Sequence, residues 1–366
     1  MGWIAISDSE EHRFSAGGIG ADGVPSLCDG ALARGSLVLE TRLSADGRPQ
    51  LLLSYERLYP RRYRLSLQAL PGGALALVIA DGAEVFHTTL ANPGEARADI
   101  LRITYSWDTG SGDTGAAPGW GRLSVERPEH DKAVSRELTG APPLFMEDIR
   151  IMATDRRLRH VDENVLFFAV SDAIEPVGPM PSLTAEVPLL VPGGYAYAGK
   201  LRRGDMVETF ESGPQPVLHI VERTVPACGS FRPVRLRAPY FGLVSDIVVA
   251  PDQRLVVGGS EVEYIFGREA VLVPARHLVN GISAIELTGA VTMTYRQIVL
   301  PRHESLIAAG CPVESLYLGR IRRKPERLAA SLLAGADRKL LPEHAPSAWL
   351  TVRPFEAITL MQRRAA

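Results

Sequence analysis

The sequence contains little cysteine, no long apolar run and little helical periodicity, and each lack excludes a class of protein. Its three cysteines, Cys28, Cys228 and Cys311, are far apart and odd in number, which indicates neither a disulfide framework nor a C-x-x-C metal site. No apolar stretch approaches the roughly 18 residues of a membrane helix, and the first residues lack the basic start of a secretory signal. We therefore expect no membrane span and no cleaved leader, so that the protein is either cytoplasmic or exported without one.

Strong net charge and nucleotide-binding motifs are also lacking. A formal net charge of -2 gives no overall field that would attract nucleic acid, so we expect no nucleic-acid partner. No Walker loop, dinucleotide fingerprint or H-E-x-x-H motif occurs, and we assign neither a cofactor nor a metal. What is present is an average globular composition, 46% apolar and 22% charged, over 366 residues, a length that favours two or three domains.

Period-two alternation dominates the first half of the chain. The motifs "RYRLSLQAL" and "ALALVIA" alternate apolar and polar residues on either side of a Pro-Gly-Gly turn, which is typical of a β-hairpin. The segments "DILRITYSW" and "GRLSVERP" follow as further strands around a Gly-rich loop. We predict an all-β protein whose residues 1–170 form a jelly-roll-like β-sandwich.

The strand "GSLVLETRLS", together with Trp107-Asp108 and "GRLSVE", resembles concanavalin-like and laminin-G-like sandwiches. The resemblance implies a lectin-like domain with a glycan or protein ligand. Trp107 and Trp120 flank the Gly-rich loop and are candidates to stack on a sugar, although both could equally be core residues. Asp108 and Asp113 are candidate ligand contacts that could also hold calcium, although acidic residues in such loops more often form turns.

Prolines mark a boundary after the sandwich. In "DAIEPVGPMPSL" they disfavour regular strand pairing, so we assign residues 171–186 to a linker. Strand-like segments resume at residue 187 and continue to 319, and we predict a second β domain there. Residues 320–366 form a C-terminal tail in which "KPERLAASLLAGADRK" predicts one helix, with proline in its first turn.

The second domain resembles the Hint, or hedgehog and intein, family in its bacterial subgroup. The motifs that carry the resemblance are, in order, "LLVPGGYAYAGKLRRGDMV", "GPQPVLHIVERTV", "DIVVAPDQRLVV", "EAVLVPARHLVNG" and "RHESLIAAGCPVESLYLG". The resemblance implies a Hint fold over residues 187–319. It also implies a chemistry in which a Cys, Ser or Thr at the first position attacks the preceding carbonyl while a histidine protonates the departing nitrogen.

The reactive positions of that family are replaced here. Aligning the first glycines places Leu189 at the nucleophile, while Gln253 and Gln297 fall where the family has histidines. The family's R-H-E motif survives as His303 and Glu304. We therefore assign no catalytic residue and predict a degenerate Hint domain that no longer cleaves itself, in a protein for recognition or structure.

The alternative is a self-processing enzyme that uses an unrecognised nucleophile near the linker. Ser182 and Thr184 are the nearest hydroxyls to Leu189, but in this alignment they lie five or more residues too early.

Overall fold

The computed structural model describes residues 2–20, 30–43, 47–91, 99–110, 119–130 and 132–365. The chain divides into two compact units, Met1–Val177 and Gly178–Ala366. The division lies within the segment 171–186 that we assign to the linker. None of the helices in the described ranges is long and apolar enough to cross a membrane.

The first unit is a β-sandwich. Within its described residues, antiparallel strands form a seven-stranded sheet with the order β10-β9-β8-β3-β12-β1-β2 and a five-stranded sheet with the order β11-β4-β5-β6-β7. Helix α1 (Met146–Thr154) lies between β10 and β11 in the chain. The strands are β1 (Trp3–Asp8), β2 (His12–Phe14), β3 (Arg34–Arg42), β4 (Gln50–Arg57), β5 (Tyr63–Ala69), β6 (Leu75–Asp81), β7 (Glu84–Leu90), β8 (Ile100–Asp108), β9 (Trp120–Arg127), β10 (Lys132–Thr139), β11 (Arg159–Val161) and β12 (Val165–Ser171).

The sandwich predicted from period-two alternation is confirmed. Strands β5 and β6 pair as the expected antiparallel hairpin, with Leu67 opposite Leu77. One apolar core joins alternate side chains of both sheets, because successive side chains of a strand point to opposite faces. Its members include Leu37, Leu39, Leu53, Leu65, Leu67, Leu75, Leu77, Leu101, Ile103 and Leu123.

The seven-stranded sheet also holds a buried group of charged residues. Glu40, Arg102 and Glu126 lie opposite one another on β3, β8 and β9. Arg102 Nε donates to Glu40 Oε1 at 2.8 Å, and Arg102 Nη1 is 3.9 Å from Glu126 Oε2. At most 6% of any of these side chains is exposed. Placing the charges in register lets them offset part of the free energy of desolvation.

The second unit contains three groups of paired strands in its described residues. The largest has the order β14-β13-β24-β25-β20-β21-β26, with β15 pairing to β24 and β16; the others are β17-β23 and β19-β18-β22. Helix α2 (Ser260–Phe266) follows β20. The strands are β13 (Pro188–Val191), β14 (Gly194–Tyr197), β15 (Met206–Thr209), β16 (Gly213–Pro216), β17 (His219–Pro226), β18 (Val234–Leu236), β19 (Ile247–Val249), β20 (Arg254–Gly258), β21 (Ala270–Pro274), β22 (Ala284–Glu286), β23 (Thr292–Val299), β24 (Ser305–Ala308), β25 (Cys311–Glu314) and β26 (Leu350–Thr351).

The C-terminal tail differs from the single predicted helix. Its described residues, 320–365, contain α3 (Pro325–Ala330) and α4 (Pro354–Ala365), and β26 pairs in parallel with β21. Helix α3 ends early because the Ser331 hydroxyl bonds back to the Leu328 carbonyl. Helix α4 buries Ala357 and Leu360 in the core of the second unit, so tertiary packing fixes a helix that its sequence signals only weakly.

Candidate functional site

The candidate site begins in the last residues that the proline pattern assigns to the linker. Leu183 exchanges two backbone hydrogen bonds with Arg296 of β23, at 3.0 and 2.6 Å. Ala250 N donates to the Ser182 carbonyl at 2.7 Å. Ser182 is only 7% exposed and Thr184 only 4%. These residues are therefore an integral part of the second unit and not an exposed connection. The proline pattern does not exclude this, because a proline disfavours strand pairing only at its own position.

The Ser182 hydroxyl lies in a buried network with two glutamines. Ser182 Oγ donates to Gln253 Oε1 at 2.7 Å, and Gln297 Nε2 is 3.0 Å from Ser182 Oγ and 3.1 Å from Gln253 Oε1. Both glutamine amides also reach the Glu314 carbonyl at 3.1 Å. Gln253 is 1% exposed and Gln297 is 2% exposed, so the network is closed to solvent.

Local structure fixes the two glutamines independently. Gln253 ends the turn between β19 and β20, in which its N–H donates to the Ala250 carbonyl at 3.0 Å and Pro251 occupies the second position that proline favours. Gln297 lies within β23, opposite Val221 of β17. A turn and a strand interior are both rigid positions, so the carboxamides meet Ser182 in a fixed geometry.

No ionisable side chain hydrogen-bonds to Ser182 Oγ within the described residues; its side-chain partners are carboxamides. A carboxamide neither accepts nor releases a proton near neutral pH. The arrangement positions the hydroxyl, whereas activation of a hydroxyl as a nucleophile requires an adjacent base or a lowered pKa.

Leu189, which the sequence alignment places at the nucleophile, lies elsewhere. It belongs to β13, pairs with Ala196 and Ala308, and is completely buried in the apolar core. The alignment rested on Gly193, whose φ of +96° marks the turn after β13 and not the start of the domain. The structure brings Ser182, and not Leu189, together with Gln253 and Gln297.

His303 and Glu304, which are adjacent in sequence, take part in different contacts. His303 Nε2 is 3.3 Å from Glu314 Oε1, and its ring lies 4.8 Å from that of Tyr317. Glu304 Oε2 accepts hydrogen bonds from Thr209 Oγ1 at 2.7 Å and from Ser212 Oγ at 2.5 Å. Glu304 therefore fixes the turn between β15 and β16. His303 lies next to the Ser182 network, because its partner Glu314 accepts hydrogen bonds from both glutamines through its backbone carbonyl.

The candidate ligand contacts of the first unit that the structure describes lie partly in the core and partly at the surface. Trp107 is fully buried and donates from Nε1 to the Leu32 carbonyl at 2.6 Å, which is the core position that the sequence analysis gives as the alternative to a ligand contact. Trp120 is half-buried beneath the Arg122 guanidinium and lies opposite Asp108. Asp108 accepts from Gly110 N at 3.0 Å, as a turn residue does. Asp113 lies outside the described residues, among which no group of three metal-ligating side chains occurs.

The family model described as Hint domain matches residues 181–320. This segment is a Hint domain. The match starts at 181, directly before Ser182, and not at 187 where the sequence analysis places the start. The Hint domain therefore includes Ser182 among its first residues, in agreement with the hydrogen bonds of that residue.

Solved structures show only distant similarity. The MchDnaB-1 intein is 14% identical, with 37% of this chain and 98% of the intein covered and a TM-score of 0.26. Domains LG4-5 of the mouse laminin alpha1 chain are 8% identical, with 86% of this chain and 75% of that chain covered and a TM-score of 0.24. The enzymatically active domain of tailspike protein 2 from bacteriophage CBA120 is 11% identical over 38% of this chain and 19% of its own, with a TM-score of 0.22. No curated protein matches the chain.

Proposed function

We propose that the Hint domain of this protein does not cleave itself and serves as a structural or interaction module joined to a recognition sandwich. The observation that supports this is the surroundings of Ser182. Its hydroxyl lies at the start of the Hint match, where the nucleophile of the family is expected, but donates to the carboxamide of Gln253. Attack on the Pro181 carbonyl would require a group that removes the hydroxyl proton and one that protonates the departing nitrogen of residue 182. Two glutamines supply neither.

The same contacts have a use without chemistry. They attach the first residues of the Hint domain to the β19–β20 turn and to β23, so the network holds the chain at the domain entry in one position. A closed set of satisfied hydrogen bonds stabilises such a geometry, since each buried polar group that lost its partner would destabilise the fold by about 1 to 3 kcal/mol.

Intact mass tests the proposal. The purified full-length protein, incubated with hydroxylamine to trap any ester at Ser182, should not be cut before residue 182. A fragment ending at Pro181 would contradict a non-cleaving domain, whereas a cut at Asn280-Gly281, a peptide bond that hydroxylamine also attacks, would not bear on the proposal.

A restored variant tests the reason for the inertness. Ser182→Cys combined with Gln253→His supplies a thiol and a proton donor at positions that already lie within hydrogen-bond distance. We expect thiol-dependent cleavage before residue 182. The matched control is Leu189→Cys with Gln253→His, which should stay whole because residue 189 lies in the apolar core. If the Ser182→Cys pair also stays whole while folded, the glutamines are not the reason for the loss.

Self-processing by a hydroxyl near the linker is the second candidate function. The observation that favours it is that Ser182, although an apparent linker residue, contacts both glutamines. The hydroxylamine experiment separates the two functions directly.

For the first unit, a glycan ligand near Trp120 is the proposal that the surface residues support best. Trp120 is the candidate whose ring is not fully buried, and the β8–β9 end carries Asp108 beside it. An aromatic face with adjacent polar groups suits sugar recognition.

Substitution of Trp120 tests this ligand. Binding on a glycan array should be lost in Trp120→Ala and retained in Trp120→Phe, which keeps an aromatic face, with the melting temperature of the variants nearly unchanged. A wild-type protein that binds no glycan, or binding that survives Trp120→Ala, would contradict the proposal.

A further inference from the structure

A segment without helix or strand crosses the second unit beyond the Hint match. We call residues 341–349, "LPEHAPSAW", the strap. It leads into β26 and is anchored at both ends. Leu341 is buried in an apolar cluster with Leu316 and Leu318, and Trp349 Nε1 donates to Glu211 Oε1 at 3.1 Å. Since the strap has no ladder of backbone hydrogen bonds, its position depends on such individual contacts.

His344, in the middle of the strap, makes three hydrogen bonds to the Hint domain. Its backbone N–H donates to the Gly319 carbonyl at 2.9 Å. In the ring, Nδ1 accepts from Leu318 N at 3.2 Å and Nε2 lies 3.0 Å from the Leu300 carbonyl, to which it must donate. Only 4% of the residue is exposed.

The contacts with Leu318 and Leu300 favour one protonation state. Because Nδ1 receives an N–H and Nε2 gives one, the ring fits them as the neutral Nε2–H tautomer. Hydrogen bonds to the backbone of Leu300 and Leu316 favour the charged form, but burial outweighs them. A second proton at Nδ1 would point at the Leu318 N–H and break that hydrogen bond. The contacts of the strap therefore depend on an imidazole that carries no charge.

The charged and titratable groups around His344 reinforce this dependence. The His303 ring stacks on it with centroids 5.8 Å apart, the Tyr317 ring lies 6.3 Å away, and His303 is paired with Glu314. Any positive charge on His303 disfavours a second one on His344. The adjacent Glu343 is already held by Arg322 and Arg323, each at 2.6 Å, and so does not face the ring as a free counter-ion.

We propose that the strap is released by acid, with His344 as the group that takes up the proton, and that its release uncovers His303 and Glu314 beside the Ser182 network. Burial lowers the pKa of His344 below its ordinary value, although its backbone hydrogen bonds oppose this. A group whose pKa is lowered by folding stabilises the closed form above its unfolded pKa, and that contribution is lost as the pH falls towards the folded pKa. The strap should therefore be closed near neutral pH, and its closed form should lose stability progressively as the pH falls below about 6.5, the ordinary value for histidine.

Hydrogen exchange measures the release on the full-length protein. Protection factors of the backbone amides in residues 341–352 should fall between about pH 7.5 and about pH 5, by up to tenfold for each pH unit below the pKa of the released ring. In His344→Gln, whose amide keeps a donor for the Leu300 carbonyl but does not titrate, protection should not depend on pH. The matched control is His277→Gln, because burial also lowers the pKa of His277, to about 4, at a position outside the strap. That variant should respond to pH like the wild type.

A histidine titration followed by NMR keeps the test decisive if His344→Gln loosens the strap at every pH. The wild-type His344 ring should show the neutral Nε2–H tautomer at neutral pH and should become protonated at the pH where protection is lost. The same pH dependence in His344→Gln, or protonation of His344 without loss of protection, would overturn the proposal. None of these outcomes depends on whether Ser182 reacts, so the strap and the proposed function succeed or fail separately.

Discussion

Two buried polar groups, one in each unit, are built in opposite ways. In the first unit, Glu40, Arg102 and Glu126 place ionised groups across three strands, with at most 6% of each side chain exposed. In the second, the Hint domain gathers Ser182, Gln253 and Gln297, which are neutral, in a space that is equally closed. Ionised groups hold their positions only while each charge is balanced, whereas carboxamides need only a complementary donor or acceptor.

If the Hint domain does not cleave itself, as we propose, this difference accounts for how its fold is kept. Histidines at positions 253 and 297 would each have an uncharged and a charged form, and the charged form would be costly at so buried a place. Glutamine has a similar reach, donates and accepts at the same time, and has no charged form. On the proposed function, glutamines at these positions keep the hydrogen bonds at the domain entry without a group that transfers a proton.

Substitution in the charged group of the first unit should have the largest effect on the free energy of unfolding. Arg102→Ala removes the guanidinium that pairs with Glu40 at 2.8 Å and lies 3.9 Å from Glu126, and we expect it to lower the free energy of unfolding by about 3 to 5 kcal/mol. Urea denaturation of the full-length protein, with hydrogen exchange of β8 as a local readout, measures this loss.

An exposed arginine is the matched control for Arg102. Arg150→Ala removes an ion pair with Glu147 in which both side chains are about half exposed, 49% and 53%, and should change stability by less than about 1 kcal/mol. Replacing Arg102, Glu40 and Glu126 together by apolar or neutral residues should recover much of the loss. Equal effects of Arg102→Ala and Arg150→Ala would show that the buried charges are not mutually dependent.

Much of the fold could be predicted from the sequence because the alternation of apolar and polar residues along a strand shows which of its side chains are buried. In β5 and β6, alternate residues face the core, so period two is visible in the chain itself. Helix α4 could not be predicted in the same way. Its apolar positions become meaningful only when Ala357 and Leu360 meet a core built by residues far away in sequence.

The site was predicted in part for a similar reason. Gln253 and Gln297 were found because each stands inside a motif of the family. Ser182 was considered only as an alternative because it follows prolines that indicate a linker. Aligning Gly193 with the first glycine of the family motif placed Leu189, and not Ser182, at the nucleophile. A signal was present in Ser182-Leu183-Thr184, whose polar–apolar–polar alternation is typical of a strand-like segment. The sequence left Trp107 open between core and ligand contact, because a tryptophan beside a loop has the same sequence context whether it faces the core or solvent.

Substitution in the neutral group of the second unit should have a smaller effect on the free energy of unfolding. Gln297→Leu removes the hydrogen bonds that Gln297 Nε2 makes with Ser182 Oγ and the Glu314 carbonyl, but both retain a bond to Gln253. We expect a loss of about 1 kcal/mol, the net contribution of a hydrogen bond whose remaining partners stay bonded. Hydrogen exchange of β23 in the full-length protein gives the local readout.

Gln297→Glu sharpens the same prediction, because it changes one amide into a group that can ionise without changing its size. A carboxylate there would face the Gln253 oxygen and the Glu314 carbonyl, both acceptors, so burial should raise the pKa of the new side chain. The variant should lose stability as the pH rises above about 4.3, the ordinary glutamic acid value, whereas the loss in Gln297→Leu should not depend on that titration. If the two variants behave alike near neutral pH, neutrality is not what the network requires, and the contrast with Arg102 fails.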